Sequence, residues 1–62
     1  MSPDQFIGLP KRDAQNLDER FNFIFRLIRV DDKKMFSYPE DTRDDRICVE
    51  IEKGVVVHAS IQ

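Results

Sequence analysis

The chain has one cysteine, one histidine, two glycines and no tryptophan in 62 residues. A single cysteine excludes an internal disulfide, and with a single histidine no cysteine-histidine zinc set can form. No apolar run approaches the ~20 residues that span a bilayer. The opening MSPDQFIGLP has neither the basic start nor the apolar core of a signal peptide. These absences lead us to expect a cytoplasmic chain without cofactor or metal. Ten basic residues stand against twelve acidic ones, interspersed, for a net charge of −2. That balance argues against nucleic acid, whose phosphates call for a basic surface. A domain this short buries only about 60% of its unfolded surface. With no disulfide or metal to help, a partner subunit is the natural reinforcement, and a symmetric dimer is the default form.

What is present is globular: 40% hydrophobic and 35% charged residues. Residues 1–5 are polar and expected to be loose within a single domain spanning 1–62. Gly8-Leu9-Pro10 reads as a helix entry, because proline's missing N–H costs nothing in a first turn. The spacing of Ala14, Leu17 and Phe21 predicts a helix over about 10–21 with one apolar face. Asp13 near its start and Arg20 near its end suit the helix dipole. Asn22 is the stop, since asparagine tolerates a left-handed cap.

Phe23–Val30 is β-branched and aromatic and reads as a strand. Phe23, Phe25 and Leu27 are expected on one face, and Ile24, Arg26, Ile28 and Val30 on the other. Residues 31–45 form a long exposed connection, of a length that usually signals a functional loop. Met35, Phe36 and Tyr38 set it apart from a disordered linker. RICVEIE alternates as a half-buried strand, and VVVHASI follows after a turn at Gly54. Two registers are open for this hairpin. The hydrophobic pattern favours a three-residue loop that sets Ile51 opposite Val55 and Val49 opposite Val57. Cys48 then faces His58, and Glu50 faces Val56. The sum is an α+β domain with one helix on a three-stranded mixed sheet. The long connection allows the first two strands to be parallel.

This layout, with PDQFIG at its start, Ala14 six residues after Gly8, and the run TRDDRICVEIEKGVV, resembles the potato inhibitor I family of serine protease inhibitors. Arg43, Asp45, Arg46 and Gly54 carry the match. The resemblance implies a rigid binding loop between the parallel strands, held in its bound shape so that little entropy is lost on docking. It makes Tyr38, Pro39, Glu40, Asp41 and Thr42 the partner-binding residues, with Glu40 just before the scissile bond. Arg43 and Arg46 become the loop braces. Pro39 stands where the family usually has threonine, and Cys48 replaces a second bracing arginine. The functional expectation is a non-enzymatic module presenting loop 31–45 to a protein partner, of which a serine protease is one case.

Other readings stand beside this one. Ile24, Arg26, Ile28, Val30, Cys48, Glu50, Val56 and His58 make an unusually apolar second sheet face. Met35, Phe36 and Tyr38 fold back over it, or it is a self-association face of a small homo-oligomeric protein, and the two combine if the loop is exchanged between chains. Cys48 beside His58 has the composition of a nucleophile pair, but a flat sheet offers no pocket or oxyanion donors. Glu40, Asp41, Asp44 and Asp45 lack the order and glycine of a calcium loop.

Overall fold

A computed structural model describes residues 2–62. A 3-10 turn, Pro3–Phe6, precedes helix α1, Lys11–Arg20. Strands β1 (Ile24–Val30), β2 (Lys33–Lys34), β3 (Arg46–Glu52) and β4 (Val55–Ile61) follow. They form one four-stranded sheet in the order β2-β1-β3-β4. β1 and β3 run parallel, and the outer pairings are antiparallel. The fold is therefore α+β, with one helix and a mixed sheet. The expectation of three strands missed β2, which two consecutive lysines do not announce. It exists because Asp31, at φ 52°, turns the chain back so that Val30 pairs with Lys33.

The polar start of the chain forms a 3-10 turn over Pro3–Phe6. The Ser2 hydroxyl caps the 3-10 turn by accepting from the Asp4 amide. Phe6 is fully buried, and one such aromatic outweighs the polarity of its neighbours. Beyond it, the Gly8 amide donates to Val56 O and the Val56 amide to Leu9 O, both at 2.8 Å. The N-terminal segment thus closes against the last strand. Met1 lies outside the described residues.

Pro10 is the N-cap of α1 rather than part of its first turn, and its carbonyl accepts from the Ala14 amide at 2.9 Å. Asn22 ends the helix in the left-handed conformation, φ 58°, as its side chain allows. Ala14 is fully buried against the sheet and Leu17 packs on the core. Phe21 does not continue that stripe. It sits in the capping turn, 45% exposed, with its ring 6.1 Å from Phe23. The inward position one turn after Ala14 is filled by Asp18, which is 4% exposed and has a side-chain oxygen without a hydrogen-bond partner.

The β3–β4 hairpin meets two demands that the sequence presents as alternatives. Lys53 (φ 52°) and Gly54 (φ 81°) are both left-handed, which is the backbone of a two-residue type I′ turn. Glu52 accordingly pairs with Val55 and Ile51 with Val56. A bulge at Val57 then shifts the register by one residue. Beyond it Val49 pairs with Ala59 and Ile47 with Ile61, so the apolar face is kept. The expected three-residue loop is therefore corrected. Cys48 lies opposite Ser60, not His58, and Glu50 lies opposite His58, not Val56.

A second bulge, at Ile28, does the same for β1. Up to Leu27 the strand pairs residue for residue with β3, and then Arg29 pairs with Glu50 and Val30 with Ile51. Arg29 thereby takes the face away from the helix, while Val30 pairs with a core residue instead of joining that face. Val56 likewise belongs to the core cluster with Phe6, Ala14, Ile47, Val49, Ile51 and Ala59.

Candidate functional site: a loop strapped to the outer sheet face

The outer face of the sheet, opposite α1, carries Ile24, Arg26 and Arg29 from β1, Arg46, Cys48 and Glu50 from β3, and His58 from β4. The loop leaving β2 first continues beside β1, where the Met35 and Phe36 amides both donate to Ile28 O, at 2.8 and 3.1 Å. It then crosses this face. The Phe36 ring lies 5.6 Å from the Arg26 guanidinium. The Tyr38 ring meets His58 edge-on at 6.4 Å, and the Tyr38 hydroxyl donates to Glu50 Oε2. Cys48 is fully buried and Ile28 is 3% exposed, although neither belongs to the core cluster under the helix. The strap from Met35 to Tyr38 and its neighbours cover them.

Electrostatics fix this strap. Glu50 accepts from Tyr38 and, at 2.8 Å, from Arg29 Nε. Those two donors hold its carboxyl below the usual range. Burial, and then the bond to the Glu50 carboxylate, pushes the Tyr38 hydroxyl upward. Arg29 also reaches Glu52 at 3.3 Å. Burial raises the Cys48 thiol, the opposite of what an activated nucleophile needs. His58 is exposed and lies opposite Glu50, while Cys48 lies opposite Ser60.

Tyr38→Phe removes the hydroxyl bond and keeps the ring. We expect it to cost about 1 kcal/mol of strap closure and so to speed labelling of Cys48 by a thiol reagent roughly fivefold. An unchanged labelling rate in the folded variant would show that something other than this bond keeps the thiol covered.

After Tyr38 the loop rises through Pro39 to Glu40, Asp41 and Thr42, and the last three are exposed. Arg46, only 8% exposed, sits beneath it as the first residue of β3. Its Nη2 donates to Asp41 O at 3.2 Å and to Asp41 Oδ1 at 3.1 Å. The same nitrogen reaches Gln62 O at 2.7 Å, and Nε reaches it at 3.0 Å. One planar guanidinium therefore joins the loop to the end of β4, a task its fork of donors suits and an ammonium does not. The Arg46 bond holds the Asp41 carboxyl below its usual range.

Arg43 does not reach the loop apex. It makes a two-bond pair with Asp45, at 2.7 and 2.8 Å, and lowers that carboxyl. Both partners are about half exposed, so the pair steadies the descending limb only slightly. Of the two expected braces, Arg46 contacts Asp41 and Arg43 contacts only its near neighbour. The expected binding residues split in the same way: Tyr38 is tied to the sheet, and Glu40 and Thr42 stand clear. The residue that sequence reasoning missed is Arg29, whose ion pair with Glu50 depends on the bulge at Ile28.

Among the described residues no group of three or more metal-ligating side chains converges, and no helix is long and apolar enough to cross a membrane. Comparison with protein-family models, curated proteins and solved structures found no match for this chain.

Proposed function

We propose that the chain is a non-enzymatic protein-interaction module on a potato inhibitor I-like scaffold, which presents the apex of loop 31–45 to a protein partner. The observation that carries this reading is the clamp of Arg46 on Asp41, the residue next to Glu40. With Tyr38 anchored to Glu50 on one side and Asp41 to Arg46 on the other, Pro39-Glu40 is a short apex between two fixed points. An apex held in place loses little conformational freedom on docking. The partner most economical to test is a serine protease that accepts glutamate before the scissile bond.

The test is an inhibition panel that includes such a glutamate-preferring protease. Inhibition is expected there. Glu40→Ala should weaken it by roughly 30-fold or more, as for an interface anchor worth ~2 kcal/mol. Rapid cleavage of the loop without inhibition, or silence across the panel, would sink the protease version. The alternative reading, a homo-oligomer self-associating through the outer face, has less support because the chain's own strap already covers Cys48 and Ile28 there. Sedimentation at micromolar concentration separates the two.

A further inference from the structure

The strap leaves a gap behind it. β2 pairs only with Arg29 and Val30, and the last backbone bonds in its lane run from Met35 and Phe36 to Ile28 O. The chain then turns away over the outer face, so the lane beside the first half of β1 is vacated. The Ile24 amide donates to Asp45 O, on the β3 side. By the alternation of a strand, Phe25 and Leu27 direct their N–H and C=O groups to the other side. Among the described residues, β2 pairs with neither of them and no loop or turn bond reaches either one. β1 therefore has an open edge of four backbone groups, beside an otherwise guarded edge of two exposed lysines, Lys33 and Lys34.

The side chain between them is also unfinished. Arg26 lies on the outer face, in register with Cys48. Its Nε is buried with no hydrogen-bond partner, and no carboxylate of the described residues forms an ion pair with it. The Phe36 ring covers the guanidinium from one side. A buried, uncompensated polar group at a sheet edge selects for a partner that supplies an acceptor. Ile24 (48% exposed) and Phe36 (55% exposed) flank the position with apolar surface.

We propose that this edge takes an extended acidic peptide segment as a fifth strand, antiparallel to β1, with a glutamate or aspartate opposite Arg26. The four edge groups of Phe25 and Leu27 bond its backbone, and its central carboxylate completes Arg26. Residues one place either side of the acid fall beside Phe25 and Leu27 on the helix side of the sheet, so apolar side chains suit them. A second copy of this chain fits poorly. Antiparallel self-pairing about the same centre would set Arg26 directly opposite Arg26 of the other copy, and like charges so placed repel. The site is separate from the loop apex and does not depend on the reading given above for it.

The probe is a fluorescein-labelled Thr-Val-Glu-Val-Thr peptide, compared with versions carrying lysine or glutamine at the centre and with one N-methylated at the bonding amides. Anisotropy gives affinity, and amide shifts and hydrogen exchange locate it. The glutamate peptide is expected to shift the Phe25, Arg26 and Leu27 amides and to protect Phe25 and Leu27 from exchange. The lysine peptide should bind about tenfold more weakly, and the N-methylated one should lose binding. Arg26→Gln should erase the preference for glutamate while leaving the exchange pattern of β3 intact. Equal binding of the glutamate and lysine peptides, shifts located elsewhere, no binding at millimolar peptide, or a dimer protecting the same amides would each overturn the proposal.

Discussion

Replacing Arg46 with methionine is expected to lower the thermal midpoint by roughly 12–24 °C, an effect of about 3 kcal/mol in a domain of this size. Methionine fills much of the same space, so the loss is chiefly one of hydrogen bonds. Gln62 O gives up two charge-assisted donors, and Asp41 gives up one to its carbonyl and one to its carboxylate. Net values for such bonds run at about 1.5–3 kcal/mol each when isolated. They are not additive here, because one side chain makes all four and Asp41 is open to water. A chain of 62 residues has a total stability of roughly 3–9 kcal/mol, so the variant stands near the limit of folding. Arg46→Lys keeps the charge but cannot serve both acceptors at once, and should recover less than half of the loss. Thermal unfolding followed by circular dichroism decides the matter. A methionine variant that melts with the parent would show that the clamp orders the loop without supporting the fold.

The second large effect has the opposite sign. Asp18→Asn is expected to stabilise the protein by about 1–2 kcal/mol at pH 7.5, raising its midpoint by roughly 5–10 °C. Asp18 is buried, one of its oxygens lacks a partner, and it stands near the negative end of α1. Burial, with Glu19 adding repulsion, lifts its carboxyl from 3.8 to about 6. A raised carboxyl binds its proton more tightly in the folded state. The folded protein is therefore free of this penalty below about pH 4 and acquires it as pH rises toward 6, where the full shift corresponds to on the order of 3 kcal/mol. Asparagine removes the charge but leaves a buried amide, which is why the gain is smaller than the penalty. The advantage of the variant should fade between pH 6 and pH 4. Asp41 runs the other way, since its depressed carboxyl supports the fold above its ordinary range and is lost on acidification through its folded value. A gain from Asp18→Asn that is the same at pH 4 and pH 7.5 would rule out ionisation as its cause.

The elements of this fold were legible wherever one periodicity ran undisturbed. RICVEIE, VVVHASI and the helix with its asparagine stop fall within a residue of their expected bounds, because alternation, helical spacing and a left-handed cap are local signals. What escaped were the two bulges. At Val57 a turn preference and a hydrophobic pattern disagree by one residue, and the backbone absorbs the difference. At Ile28 a bulge turns Val30 toward the core and brings Arg29 to Glu50. Nothing local marks either position, since both follow from fitting one strand to another. Phe21 and Asp18 were exchanged for a related reason. The helical wheel continues through residue 21 on paper, but the helix stops at Arg20. Of the candidate site, a long connection between the parallel strands and the place of Arg46 at the start of β3 were readable, but β2 inside that connection was not. The destination of Tyr38 was not, because its partner Glu50 is twelve residues away on another element.

The central position of β3 also bears on how the chain is made. Its neighbours are β1, from well before it, and β4, from after it, while Gly8 and Leu9 bond across to Val56 on β4. During synthesis the N-terminal half emerges with a helix and a strand that have almost nothing to hold. The segment at Phe6 has no seat until Val56 appears. Assembly of this domain therefore waits for β4, and until that strand appears the apolar stripe of the helix has no complete sheet to cover it. That interval exposes it to chaperones and to proteolysis, a burden set by strand order and not by the strength of any contact.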